Sequence, residues 1–284
     1  MSRSHVRPCP HCIVPVLKSK VKPSSFLLTL FLLILLCNCA TPYKPLSLEP
    51  LSEQGVETIL SGIREQGSKV FSFYTSGGLT IKNGDWESES NILIVGRKDP
   101  YRIKIEVTHP WGGPIVHLLI DKTELKVLFF PDKKLYIGAF TPEALSKLFP
   151  GDFDAYLIWA VLRGYPNLLR YHKTISVKSD QITLLNEKEK VVEVIDLYLK
   201  NLFPKRVSFP ERDITVAFSE FREDHGIYYA RKVSVENTEA KRSLVIKNRK
   251  MAINKTFPEQ IFILEKPPSF VTTYLNEDSI ILRP

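Results

Sequence analysis

The chain has 284 residues, of which 39 are Lys or Arg and 31 Asp or Glu, for a formal net charge of +8, and it holds four cysteines. Five of the basic residues (Arg3, Arg7, Lys18, Lys20, Lys22) and all four cysteines fall before residue 40, so the rest of the chain carries 34 basic against 31 acidic residues, or +3. That small excess removes the case for a nucleic-acid-binding surface, and a chain without later cysteines has nothing to mispair in an oxidising compartment.

The basic leader runs into FLLTLFLLILLC, residues 26–37. A run of twelve residues, eleven of them apolar, is too short to span a bilayer, which takes about 20, and suits the core of an export signal; a short transmembrane anchor is the alternative. The run ends L-C-N-C, which resembles the bacterial lipobox, although Asn38 departs from the small residue preferred there. The resemblance implies that residues 1–38 are a lipoprotein signal peptide, that Cys39 carries the lipid, and that residues 39–50 form a lipidated tether. Ala40 in place of aspartate implies an outer-membrane address facing the periplasm. Cys37 fits less well, since bulky Leu36 then sits at the cut. The CPHC motif at 9–12 lies in the segment to be discarded and is given no role. The leader is long and no methionine falls between Met1 and Met251, which leaves open a start near Val14 or Val21.

Val56, Ile59, Leu60 and Ile63 recur at helical spacing and predict a helix ending near Gly67. The period then becomes two. FSFYTSGGLTIKNGDWESESNILIVG holds an N-G turn signal at Asn83–Gly84, and YRIKIEV alternates cleanly. Strands are expected at 115–121, 124–130 and 134–138, joined by turns too short for parallel crossovers. Helices are expected at 142–149, capped by Thr141, and at 154–164, the second apolar all round and so buried or sandwiched. Strands resume at 174–179, 181–186, 191–199, 205–210, 213–222, 227–236 and 242–253, with one further edge strand available in the segment from Phe257. This pattern, without βαβ alternation, predicts a mostly β (α+β) domain over 51–264: one curled antiparallel half-barrel of about 11–13 strands, an N-terminal helix, and two lid helices on the concave side. A C-terminal tail occupies 265–284.

No nucleophile elbow, zinc-protease, dinucleotide or P-loop motif is present, and His109, His117, His172 and His225 stand on separate elements. No catalytic residue, metal site or cofactor is assigned, and a hydrolase lacks its clustered acid and histidine site. Asp152 and Asp154 read as helix N-terminal residues. The surplus is apolar: VHLLID and KVLFFPD are greasy on both faces. Ile103, Ile105, Leu118, Phe129, Leu148, Leu157, Trp159 and Leu162 are candidates to line a lipid cavity, and periodicity alone does not separate a hollow interior from a filled one.

H-P-W-G at 109–112, the strands after it, and I-W-A-V-L-R-G at 158–164 resemble, in their order and spacing, the centre of the LolB family of outer-membrane lipoprotein receptors in the LolA/LolB superfamily. The resemblance implies a non-enzymatic protein, anchored in the membrane by its N-terminal lipid, that binds acyl chains of lipoproteins or another lipid and inserts them into the outer membrane. It implies a membrane-insertion loop at Pro110, Trp111 and Gly112, a periplasmic LolA-like carrier as a partner, and a monomer. The alternative is an envelope assembly lipoprotein of the same shape whose concave face binds a protein.

Overall fold

A computed structural model of the protein describes residues 49–275; the leader with its CPHC motif, Cys39, most of the tether, and residues 276–284 lie outside the described residues. Helix α1 (Glu53–Ser68) precedes strands β1 (Ser72–Asn83), β2 (Trp86–Arg97), β3 (Arg102–Thr108), β4 (Pro114–Asp121), β5 (Glu124–Phe129) and β6 (Lys134–Ala139). Helices α2 (Pro142–Ser146) and α3 (Ala155–Arg163) follow, then β7 (Lys173–Lys178), β8 (Gln181–Leu185), β9 (Val191–Leu197), β10 (Pro204–Phe209), β11 (Ile214–Asp224), β12 (Ile227–Asn237), β13 (Arg242–Ile253) and β14 (Val271–Tyr274).

All of these strands join one sheet, in the order β14-β6-β5-β4-β3-β2-β1-β13-β12-β11-β10-β9-β8-β7. It is a large, open, curled sheet with few helices, the half-barrel that the alternating pattern predicts. Two up-and-down meanders meet at one seam, β1 against β13, so β7 lies at one end of the strand order and β6 next to the other, inside β14. The link between them has to cross the sheet, and α2 and α3 are that link. Lid helices follow from topology.

Local chemistry sets the ends of these elements. Ser52 caps α1 by accepting the Gly55 amide at 3.1 Å, Thr141 caps α2 by accepting that of Ala144 at 3.2 Å, and Asp154 caps α3 by accepting those of Tyr156 and Leu157 at 3.0 and 2.8 Å. Helix α2 is shorter than the expected 142–149: the Leu148 and Phe149 amides both turn back to the Leu145 carbonyl, at 2.9 and 2.8 Å. Pro150 disfavours a helical conformation for the residue before it. At the seam, the strand register shifts at Ser76/Gly77. A Cβ on Gly77 would sit 2.0 Å from the Lys247 carbonyl oxygen, so only glycine fits this bulge.

Ile103, Ile105 and Val107 of β3 face inward, with exposures of 0%, 5% and 8%, while Arg102, Lys104 and Glu106 face out. The main core joins this inner face to Val56, Leu60 and Ile63 of α1, Leu145 of α2 and Leu157, Ile158, Trp159, Val161 and Leu162 of α3. Every residue of α3 from Leu157 to Arg163 is buried. The outer face of β1–β6 is covered as well. Val95 and Leu119 pack with Phe262, and Leu128 and Leu135 pack with Phe270. These partners belong to a C-terminal strap, 257–275, pinned by Glu259 to Arg97 and Arg102, each at 2.6 Å. This explains the double-sided greasiness of VHLLID and KVLFFPD. The strap ends as β14, which adds the fourteenth strand and pairs parallel to β6, the one departure from antiparallel pairing.

Candidate functional site

A cleft of about 460 Å³ opens between the C-terminal half of α1, the β2–β3 turn and α3. Its walls are Ile63, Tyr101, Tyr156, Trp159 and Leu168, with Arg64, Lys98 and Asn167 among its polar groups. The volume lies in the range of small-molecule pockets, roughly 300–1,000 Å³. Trp159 is held from two sides, edge-on to Phe73 at 4.9 Å and tilted against Tyr101 at 6.1 Å. The Tyr101 hydroxyl donates to the Ala155 carbonyl at 2.8 Å, tying the β2–β3 turn to the start of α3. Burial and the Asp154 charge push that phenol well above its ordinary pKa.

The C-terminal end of α1 has no basic residue in its last turn. Two cations from elsewhere supply the charge that a helix C-terminus favours. Arg163 Nη1 donates to the Gln66 carbonyl at 3.0 Å and Lys98 Nζ to that of Gly67 at 2.8 Å. Arg163 is 2% exposed, and its Nε and Nη2 find no hydrogen-bond partner among the described residues. Burial brings its pKa down to about 10. Lys98 Nζ lies 5.5 Å from the centre of the Trp159 ring. Burial first, then the charge of Arg163, lowers its pKa. Arg64 pairs with Glu57 at 2.9 Å and touches the Tyr171 hydroxyl.

The sequence-selected cavity residues come together, though not around this cleft. Ile103, Ile105, Leu118, Phe129, Leu157, Trp159 and Leu162 belong to the main core, and Leu148 packs half-buried against it. Of the eight, Trp159 alone also lines the cleft. Lys98, Arg163 and Tyr101 escaped the sequence reading as site residues. Arg163 left a signal, since a charge on a helix apolar all round has to be buried. His117 is half-buried, edge-on to Phe130 at 4.8 Å, and burial lowers its pKa. No group of three potential metal ligands gathers among the described residues.

At the other end of β3 stands the H-P-W-G turn. The His109 amide donates to Gly113 at 2.7 Å and the Gly112 amide to His109 at 2.8 Å. Gly112 takes φ +102°, a conformation that L side chains rarely adopt. Trp111 stacks on His109 with ring centres 4.6 Å apart, yet is 81% exposed. Pro110 and Gly112 flank it as exposed turn residues. From Tyr101 at the cleft to His109 at the loop is roughly 26 Å along the strand.

No protein-family model and no curated protein matches the chain. Solved structures do. A LolA superfamily protein from Nitrosomonas europaea is 16% identical, covering 73% of this chain and 97% of its own, with a TM-score of 0.48. A DUF1329 family protein from Desulfovibrio piger is 12% identical over 73% of this chain and 97% of its own, with a TM-score of 0.49. A domain described as an outer-membrane lipoprotein-sorting protein, from Vibrio parahaemolyticus, is 12% identical over 72% and 96%, with a TM-score of 0.42. Identities this low concern the fold alone.

Proposed function

We propose that this protein is a non-enzymatic envelope lipoprotein, anchored in the outer membrane through Cys39 and facing the periplasm, whose half-barrel takes up acyl chains of lipoproteins or of another lipid. It releases them into the membrane at the loop of Pro110, Trp111 and Gly112. The observation that supports the reading is the cleft between α1, the β2–β3 turn and α3, walled by Ile63, Tyr101, Trp159 and Leu168. Each acyl CH₂ withdrawn from water is worth about 0.8 kcal/mol, so an apolar cleft that matches the membrane interior passes a chain onward at little net cost. Trp111 suits the interface, where an amphipathic ring prefers the headgroup level. A LolA-like carrier in the periplasm hands over the cargo, and the receptor works as a monomer.

A second reading draws on the core. All eight cavity candidates pack into the core, seven as buried side chains and Leu148 half-buried against them, as in a filled shell whose concave side binds a protein. Mass spectrometry of lipids that co-purify with a chain begun at Leu48 separates the two. Acylated lipids recovered at a stoichiometric level support transfer; a lipid-free protein that captures no fatty acid overturns it in favour of the second reading.

A further inference from the structure

The cleft combines apolar walls with an imbalance of charge. Lys98 Nζ meets a backbone carbonyl and an aromatic face, and no carboxylate pairs with it among the described residues. Directly behind it Arg163 binds the preceding carbonyl, that of Gln66, and also lacks a carboxylate partner. Arg64 adds a third cation at the rim, and its partner Glu57 is the lone carboxylate paired with the three. The carbonyls at the end of α1 offset about half a charge. Buried Arg163 and the solvent-exposed Lys98 beside it, against half a negative charge, leave the site electropositive, and their like charges oppose each other.

We infer that the cleft binds an amphiphile with one aliphatic chain and an anionic head, the head seated on Lys98 in the field of Arg163 and the chain lying against Trp159, Tyr101, Ile63 and Leu168. This rests on the acyl-binding reading and narrows it, because a neutral acyl group leaves the charge imbalance uncorrected. Carboxylate and phosphate heads share the required chemistry: an oxyanion that accepts from Lys98 Nζ while its tail is dry. The Nζ already donates once, to Gly67, and its remaining hydrogens are free to turn to the ligand.

The sheet, its helices and all three apolar clusters lie within residues 49–275, so a chain begun at Leu48 keeps every contact described and serves for the test. Bound parinarate, a fluorescent fatty acid, is displaced at neutral pH with hexadecanoate, hexadecanol, dodecyl phosphate or inorganic phosphate. The expected result is that hexadecanoate binds roughly tenfold tighter than hexadecanol, the scale of one charged hydrogen bond. Lys98→Met should abolish that preference with hexadecanol binding retained, which also shows that the variant folds, and Lys98→Arg should restore it. Dodecyl phosphate outcompeting hexadecanoate supports the inference and assigns the head as a phosphate. Equal affinity for hexadecanoate and hexadecanol overturns the anionic head and leaves acyl binding standing. Failure to bind parinarate at all overturns both. Displacement of parinarate by inorganic phosphate alone makes this a small-anion site and overturns the amphiphile.

Discussion

Glu193 on β9 accepts a hydrogen bond from the Leu169 amide at 2.9 Å, and through it the strand holds the segment that leaves α3. The carboxylate is wholly buried, its Oε1 finds no partner among the described residues, and burial pushes its pKa up to about 7. The unfolded chain titrates it near the ordinary value of about 4.3. Below that value both states are protonated. Between the two values the folded state holds the extra proton, so stability falls as pH rises and the full penalty applies above about 7. A shift of that size is worth about 3–4 kcal/mol. Glu193→Gln keeps the acceptor for Leu169 and removes the titration. Urea unfolding should find the variant more stable than the parent by about 2–3 kcal/mol near pH 8 and nearly equal to it near pH 4.5. Parallel pH profiles would rule out this assignment.

Gly164 ends α3 with φ 75°, and a Cβ placed on it would lie 2.7 Å from the Ala230 carbonyl oxygen. The Ala230 amide also donates to the Gly164 carbonyl at 2.6 Å, which holds β12 in place against the helix end. Gly164→Ala therefore meets a left-handed penalty of about 1–2 kcal/mol and a backbone that has no room to retreat. A total loss above about 2 kcal/mol is expected, read from the urea midpoint at unchanged slope. A loss under about 0.5 kcal/mol, the usual scale of a surface change, would show that α3 docks more loosely than this contact requires.

Phe262 is 4% exposed, packed with Val95 and Leu119, and lies 5.0 Å from the Arg97 guanidinium and 6.0 Å from that of Arg102. Phe262→Ala should cost about 3 kcal/mol. It should also speed proteolysis within 257–275 before the rest of the sheet is cut, as fragment masses over a time course would show. Simultaneous cleavage throughout the domain would mean that the strap does not come away as a unit.

Trp111 is exposed and holds its place through a stack on His109, so Trp111→Glu should change stability by no more than about 0.5 kcal/mol. Binding of the chain begun at Leu48 to phosphatidylglycerol vesicles should fall, and delivery in a reconstituted transfer assay should stop. Unchanged delivery counts against an insertion loop here.

Most strand limits were legible in the sequence to within two residues, because period-two alternation and turn chemistry are local. YRIKIEV declares its inner face, and Gly84, with φ +59°, turns the first hairpin. Asp154 is the helix cap its position suggests, and its second oxygen also pairs with Arg212 at 2.7 Å. Long-range partners were not legible. Nothing in the pattern of β1 names β13 as its neighbour, and β14 is four residues whose pairing depends on where the strap happens to arrive. The cleft is a space left by three elements that are distant in sequence, and no residue encodes a space. Glu193 was half-legible: its alternation with Ile195 and Leu197 puts it on the inner face, where a carboxylate is costly.

The seam also sets a timetable. Phe73 and Ile253 pair across it although nearly the whole domain separates them along the chain, and Thr75 and Asn248 meet there through a buried hydrogen bond of 2.8 Å. Contacts between such remote positions are slow to form, because the closure entropy is spent before any pairing repays it. Each meander can zip from its own hairpins, but neither finds its mate until residue 253 has been made. A ribosome-bound fragment that stops short of β13 is therefore two unjoined arcs with raw edges at β1 and β12, ready to stick to its own kind.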